Sequence, residues 1–370
     1  MKISFFIPSM EGGGAERVIL NLVNSLCEYD DVTIELVLSE AKGKYMGSIS
    51  KKVKIINLEN NRTLTSLFSL IKYLNRNTPD ILISAITHAN VIAVLAKIIS
   101  RKDIKVILTQ HTILSNSLKL SNKIFAMLFL KLIEKTYPLV SKIVTVSKYI
   151  EQDTIKIINI EKNKVQTIYN PIMDKNIIKQ SLVNLDHDWF SSESPPVILS
   201  VGRFTKVKDF ATLLHSFKLL REKINARLII LGEGEQRDNL ISLAKELGIE
   251  KDVQMPGFVE NPYQYMARSK VFILTSIYEG FGNVLVEALG CGTSVISTNC
   301  PGGVSEILDN GKYGSLVPIG SAELISAELF NVINNEQEVT LAERLKRAEV
   351  FTVEKITKEY MELINDTLNG

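Results

Sequence analysis

Short apolar, β-branched runs alternate with stretches of helical periodicity through almost the whole chain. KISFFI, VTIELVL, KVKIINL, ILISAI, KVILTQ and KIVTVS read as strands. Ala15, Val18, Ile19, Leu22, Val23 and Leu26 recur at helical spacing, and residues 63–77, 89–100, 119–137 and 148–158 read as further helices. This alternation predicts an α/β fold of parallel, doubly wound sheets with helices on both faces. Ligands of such sheets collect beyond the C-terminal ends of the strands. The pattern restarts at VILSVG and continues through RLIIL, VQMPGFV, KVFILTS, TSVIST and GSLVP. A chain of 370 residues exceeds one core, so two Rossmann-like domains are predicted. Between them NIIKQSLVNLDHDWFSSESPP is polar, poorly patterned and ends in two prolines. The expected division is an N-terminal domain over 1–178, a linker over 179–196, a C-terminal domain over 197–351 and a final helix over 352–370.

Charge and apolar content narrow the class. An apolar fraction of 45% with 23% charged residues describes a soluble globular protein. The longest strongly apolar run without charge, IFAMLFL, is too short to span a bilayer. The opening MKISFFIPS reads as a first strand with no small-residue cleavage site, so no secretory signal is expected. Cys27, Cys291 and Cys300 lack metal-ligand spacing and point to a reducing cytoplasm, without disulfide or zinc. Residues 1–185 hold 25 Lys and Arg against 15 Asp and Glu, and the remainder 18 against 26. The basic half is therefore expected to face something anionic, with nucleic acid or an anionic membrane leaflet as candidates. Lys119, Lys123, Lys131 and Lys135 fall at multiples of four among Leu120, Ile124, Phe125, Leu128, Phe129, Leu132 and Ile133. That pattern suits a basic amphipathic helix on a membrane surface, and equally an ordinary packed helix with a solvated lysine face. Nucleic acid is not expected, since no aromatic-interleaved basic patch is present.

Four segments are competent for phosphate. Gly12, Gly13 and Gly14 lie between the first strand and its helix, without the spacing of a dinucleotide fingerprint or a P-loop. Arg203 ends the VILSVG strand, and Lys208 follows at a helix start; together they suit a diphosphate clamp, Arg as a fork and Lys as a point charge. Gly232, Glu233, Gly234 and Glu235 connect another strand to its helix. In TSIYEGFGNVLVEALGCGTSVISTNCPGGVSE, Glu279 precedes a glycine loop that opens onto the helix NVLVEALG, inside which Glu287 sits. A glycine loop before a helix offers unpaired amides and the positive end of the helix dipole. Each segment alone also reads as an ordinary turn or a surface charge. No Asp-x-Asp stands after a strand to hold a divalent metal, so no metal site is assigned.

Order and spacing together resemble the retaining glycosyltransferases of family 4, which have the GT-B fold. The likeness spans essentially the whole chain and is most specific over 196–310, where two glutamates flank a Gly-Phe-Gly-type loop. It implies two domains facing a cleft and a last helix crossing back to the first domain. It implies that Glu279 lies near the transferred sugar, Glu287 binds the ribose, and the backbone of Phe281, Gly282, Asn283 and Val284 faces the diphosphate. Arg203 and Lys208 would hold that diphosphate and replace a metal, so no cofactor is expected. Glu233 would lie beside the nucleotide, Gly257 and Phe258 near the base, and Gly13 and Gly14 over the diphosphate and acceptor. His111, just past KVILTQ, matches a histidine next to the transferred sugar; His88 is read as structural. Ser147 and the turn at Asn170 and Pro171 match family landmarks that shape the cleft. SMEGGGAERVILNLVNSL and GFGNVLVEALGCG most resemble bacterial transferases that add N-acetylhexosamines to undecaprenyl-diphosphate-linked oligosaccharides. The implied partners are a nucleotide-diphospho-sugar, in UDP form, a polyprenyl-diphosphate-linked saccharide and an anionic membrane at the cytoplasmic face of the inner membrane. A nucleotide-sugar epimerase of the same fold, or a non-catalytic nucleotide-sugar or membrane-surface binding protein, remain as alternatives.

Overall fold

The computed structural model describes residues 1–60, 63–117, 123–334 and 339–370. It divides into two compact units, Met1–Ile172 with Val353–Gly370, and Met173–Thr352.

The first unit runs β1 (Lys2–Ile7), α1 (Gly14–Leu26), β2 (Thr33–Leu38), β3 (Lys54–Asn57), α2 (Ser66–Asn77), β4 (Ile81–Ala85), α3 (Thr87–Ser100), β5 (Lys105–Gln110), α4 (Leu114–Ser117), α5 (Lys123–Thr136), β6 (Lys142–Thr145), α6 (Lys148–Ile158) and β7 (Val165–Thr167). Its strands form one parallel sheet, ordered β3-β2-β1-β4-β5-β6-β7. The inner strands read as continuous apolar runs because helices cover both faces, and every residue of β4 is buried. Val18, Ile19, Leu22, Val23 and Leu26 face the core from α1, as their spacing requires. Glu35, 1% exposed, is a buried carboxylate on β2. Lys54 on β3 donates to it at 2.8 Å, Lys2 on β1 pairs at 3.3 Å, and the Tyr73 hydroxyl donates as well. Burial works to raise its pKa, but these partners outweigh that and hold it below the usual range. It clips the three strands together.

The second unit runs α7 (Lys175–Ser181), β8 (Val197–Val201), α8 (Phe210–Arg221), β9 (Arg227–Leu231), α9 (Arg237–Glu246), β10 (Val253–Gly257), α10 (Tyr263–Met266), β11 (Val271–Leu274), α11 (Asn283–Gly290), β12 (Ser294–Thr298), α12 (Val304–Ile307), β13 (Ser315–Val317), α13 (Ala322–Ile333) and α14 (Leu341–Ala348). Its sheet is again parallel, ordered β10-β9-β8-β11-β12-β13. A second core of its own joins Ile198, Phe210, Phe217, Leu228, Ile273 and Leu329. The last helix, α15 (Val353–Asn369), belongs to the first unit and packs on α1.

Three expectations differ from the structure. The division falls between Ile172 and Met173 rather than after 178. The stretch expected as a linker over 179–196 is packed on the second unit: His187 Nε2 lies 2.9 Å from Gln254 Oε1, and Asn261 donates to the Gln180 carbonyl at 2.9 Å. Polar composition marked it as a connector, but these hydrogen bonds hold it in place. β7, only three residues long, was too short for periodicity to reveal. Lys119 and Leu120, expected on the basic helix, lie outside the described residues, as do the side chains of Lys123 and Phe125.

Candidate active site

In the second sheet the strand order reverses between β8 and β11. Connections leave these two neighbours in opposite directions, which opens a crevice beyond their C-terminal ends. Gly202 and Arg203 follow β8, and a 3-10 turn over Lys206–Lys208 comes next. Thr275 to Gly282 follow β11 and lead into α11.

The two loops meet at an ion pair. Lys208 Nζ donates to Glu279 Oε1 at 2.5 Å, with side chains 19% and 14% exposed. Ser276 Oγ donates to the same oxygen at 2.6 Å. Ser276 is itself fixed: it is fully buried, and Thr298 on β12 donates to its carbonyl at 2.6 Å. Thr275 Oγ1 donates to the Lys208 carbonyl at 2.9 Å, and the Ile277 amide to the Val207 carbonyl at 2.8 Å. Two segments 71 residues apart are thus sewn together. Gly302, at φ +124, lets the Pro301 turn press on the Glu279 backbone; a Cβ there would lie 1.9 Å from the Glu279 carbonyl oxygen.

Arg203 is exposed, and no side-chain partner for it is found among the described residues. Its backbone is held between Gly202, whose amide bonds the Leu231 carbonyl, and Phe204, whose amide bonds the Glu233 carbonyl at 2.8 Å. The Gly232–Gly234 loop therefore lies against the β8 loop. Gly232 permits this at φ +134, since a Cβ would meet the Gly202 carbonyl at 2.0 Å. Glu233 pairs with Arg237 at 3.1 Å and reaches over Gly257, whose missing Cβ leaves room for the carboxylate. Phe258 is 58% exposed beyond β10.

The helix that opens from the glycine loop has no acidic residue in its first turn and no side-chain cap; Gly282 holds its N-cap at φ +104. Its positive end is not neutralised by a neighbouring carboxylate of the same turn. Phe281 is buried edge-on against Phe351, so only its backbone can serve a ligand. Glu287 lies one turn below Asn283 on the same side of α11 and is 4% exposed. Burial, helped by Glu287 and Glu279 respectively, pushes Cys291 and Cys300 up to about 12. Both stay protonated; Cys300 is buried in the core, whereas Cys291 is only partly buried.

In the first unit the strand order reverses between β1 and β4, and Gly13 and Gly14 follow β1. At α1 the outcome departs from an open glycine loop. Gly13 is the N-cap, and its amide donates to the Glu16 carboxylate, the one half of a capping box that a glycine can make. The amide of Gly13 is thus already satisfied, and Gly14 is the first helical residue. His111 follows β5 and is partly buried, with Nε2 3.0 Å from Thr109 Oγ1. That hydroxyl donates to the Ser84 carbonyl at 3.2 Å, so Nε2 carries the imidazole proton and Nδ1 is the acceptor. Burial pushes His111 down to about 4. Beneath it Gln110 accepts from the Tyr137 hydroxyl at 3.1 Å and donates to the Thr112 carbonyl at 2.7 Å. His88 is exposed in the first turn of α3. Ser147 caps α6, and Asn170 is buried.

Sequence reasoning missed several of these features. Ser276, Thr275 and Thr298 are unremarkable hydroxyls until the strands align. Ile86, at φ +77 between β4 and α3, is a β-branched residue in a region that L side chains rarely adopt. No local signal marks it.

The family described as Glycosyltransferase Family 4 matches residues 12–175, and Glycosyl transferases group 1 matches 184–349. A Campylobacter jejuni N-acetylgalactosamine-N,N'-diacetylbacillosaminyl-diphospho-undecaprenol 4-alpha-N-acetylgalactosaminyltransferase is 30% identical over 342 residues, covering 91% of both chains. The chain belongs to glycosyltransferase family 4. This glycosyltransferase is also 27% identical, over the full length of both chains, to a second C. jejuni enzyme, a GalNAc-alpha-(1->4)-GalNAc-alpha-(1->3)-diNAcBac-PP-undecaprenol alpha-1,4-N-acetyl-D-galactosaminyltransferase. Among solved structures it is similar to HepE of Anabaena in complex with UDP-glucose, with TM-score 0.80, 20% identity and coverage of 99% of this chain and 100% of that one. It is likewise similar to WaaG, a glycosyltransferase involved in lipopolysaccharide biosynthesis, with TM-score 0.74, 15% identity and coverage of 98% and 99%. These two likenesses give the fold as GT-B. The epimerase and the non-catalytic alternatives fall away with the family.

Proposed function

We propose that this glycosyltransferase moves a hexose or N-acetylhexosamine from a UDP-linked donor to a polyprenyl-diphosphate-linked saccharide, with retention at the anomeric carbon. The Lys208–Glu279–Ser276 constellation beside the uncapped start of α11 carries the reading. The donor diphosphate lies on the Val284 and Asn283 turn, with Arg203 as a fork and Lys208 as a point charge. Lys208 then exchanges its bond with Glu279 for one with phosphate, while Ser276 keeps the carboxylate in place. Glu287 takes the ribose, Glu233 flanks the nucleotide, and Gly257 and Phe258 take the base. Gly13 and Gly14 close over donor and acceptor. The two undecaprenyl-linked relatives support the acceptor class, and the neighbour bound to UDP-glucose supports the donor.

In the transfer the bond from the anomeric carbon to phosphate breaks, and the acceptor oxygen bonds that carbon on the same face. The acceptor proton passes to the departing phosphate oxygen. Arg203 and Lys208 offset the charge that grows on the diphosphate, the task a divalent metal performs elsewhere. Glu279 stabilises the oxocarbenium-like sugar, and neutral His111 contacts the transferred sugar. Turnover is therefore expected to be unchanged by EDTA.

Peripheral membrane contact at the cytoplasmic face belongs to the same reading. On α5, Ile124, Met127, Leu128 and Leu132 are exposed together with Lys131 and Lys135. Apolar insertion plus about 1 kcal/mol per near-surface lysine suits an anionic leaflet. The deciding test is a panel of UDP- and GDP-sugars, read by thermal stabilisation and then by transfer to a polyprenyl-linked acceptor, with the product anomer determined by NMR. Glu279→Ala and Lys208→Ala should each reduce turnover by about 10²–10³-fold while the fold is retained. Near-normal transfer by both, or an inverted anomer, refutes the assignment.

A further inference from the structure

Thr109 is a fully buried residue near the C-terminal end of β5, in register with Ala85 of β4 and Val144 of β6. Two groups from neighbouring elements fix it. Its Oγ1 donates to the Ser84 carbonyl of β4 at 3.2 Å, and its own carbonyl accepts from Asn90 Nδ2 of α3 at 3.0 Å. A carbonyl oxygen cannot donate, so the direction of the first bond is settled and the one hydroxyl proton of Thr109 is committed to it. What this hydroxyl offers to the His111 ring, 3.0 Å away, is a lone pair.

The row of His111 Nε2–H, Thr109 Oγ1–H and Ser84 carbonyl is therefore a line of donors that ends on an acceptor. No member of it can take the proton from Nε2. The other tautomer would set the Nε2 lone pair against those of Thr109 and leave a buried polar contact unmade. Burial keeps the ring neutral. The backbone beyond the ring is pinned too: Gln110 Nε2 donates to the Thr112 carbonyl at 2.7 Å and to its hydroxyl at 3.0 Å. Among the described residues Nδ1 makes no hydrogen bond, so it stands as a bare acceptor just past β5. Such an acceptor binds O–H and N–H groups. A phosphate or carboxylate oxygen brings it only another lone pair.

We propose that Thr109 is a positioning residue of the transfer. It commits His111 to the Nε2–H tautomer, so that Nδ1 meets the transferred sugar purely as an acceptor and selects a hydroxyl or an acetamido N–H there. The proposal rests on the reading that His111 contacts that sugar. It also gives the ring no part in passing a proton to the departing diphosphate.

The enzyme labelled with nitrogen-15 in its four histidines reports the tautomer directly, with the His111→Gln spectrum identifying the ring. Long-range proton–nitrogen spectra of the ligand-free protein at neutral pH should show His111 solely as the Nε2–H form. Thr109→Val keeps the β-branched shape and removes the hydroxyl. It should admit the Nδ1–H form and lower kcat about tenfold. Thr109→Ser restores the hydroxyl, and should keep the wild-type tautomer and a kcat within about threefold of wild type. An Nδ1–H or mixed form in the wild type overturns the proposal, and this result does not depend on whether Thr109→Val folds. Thr109→Ser as impaired as Thr109→Val, or a folded Thr109→Val with wild-type tautomer and turnover, overturns it as well. UDP-glucose or UDP-N-acetylglucosamine, whichever raises the melting temperature more, should move the Nδ1 resonance upfield and leave Nε2 in place. An equal movement with UDP alone overturns selection of the sugar. Stabilisation by neither nucleotide sugar would instead sink the donor reading, while the ligand-free tautomer still decides the role of Thr109.

Discussion

Ser276 fixes the carboxylate that the proposed mechanism sets beside the transferred sugar. Its hydroxyl holds Glu279 Oε1 at 2.6 Å, so the carboxylate keeps a partner when Lys208 turns to phosphate as proposed. Ser276→Ala removes one charge-assisted hydrogen bond, worth about 1.5 kcal/mol, so kcat should fall about tenfold. The donor KM should change little, since the phosphate contacts remain; a rise in KM at constant kcat would exclude positioning as its role. His111 yields a pH prediction. Its folded value is about 4, against an ordinary 6.5. Between these values the unfolded chain binds a proton that the folded one refuses. Stability is therefore complete above pH 6.5, falls as pH drops toward 4 and levels off below, a loss of about 3 kcal/mol. Urea midpoints against pH should show that limb, and His111→Gln should flatten it; equal slopes for both proteins would discard the assignment. At Ile86 the positive φ costs about 1–3 kcal/mol. Ile86→Gly should raise the denaturation midpoint of the first unit if relief of strain exceeds the lost packing, and an unchanged or lower midpoint would show that it does not.

At the scale of elements, the two glycine-led helices differ in who occupies their N-termini. On α1 the chain's own Glu16 does so, whereas α11 has no acid in its first turn. Both sequences show glycines before an apolar helix, so the anion-binding pattern was legible in each. Only the fold revealed that a carboxylate three residues into α1 had turned back on Gly13. The packing of α15 on α1 is a similar case. Its amphipathic period was readable, but which surface it covers was not. Ile364 is fully buried there, and Ile364→Ala should cost about 2–5 kcal/mol in chemical denaturation. On α5, Leu128 is 59% exposed and so contributes little to the core. Leu128→Glu should leave the melting temperature nearly unchanged and reduce co-sedimentation with anionic vesicles. Undiminished sedimentation would remove α5 as the contact.

For the molecule as a whole, each unit encloses its own core, and the proposed donor contacts of Arg203, Lys208, Glu279 and Glu287 all lie in Met173–Thr352. UDP at a hundred times its dissociation constant should stabilise that unit by about 2.7 kcal/mol, shifting its transition upward by about 5–10 °C. Lys208→Ala should abolish the shift; an equal shift in that variant would place UDP elsewhere.

The parallel α/β class and its repetition in two halves were determined by the sequence alone. Strand runs, helical period and glycine punctuation are local properties, set by sterics and burial within a few residues. The tertiary structure decided which charges meet. It paired Lys208 with Glu279 across 71 residues, aligned Ser276 and Thr298 behind them and bent Ile86 out of the usual backbone range. It also packed residues 179–196, expected as a connector, on the second unit. Contacts of this kind depend on strand order and register, which no window along the chain contains.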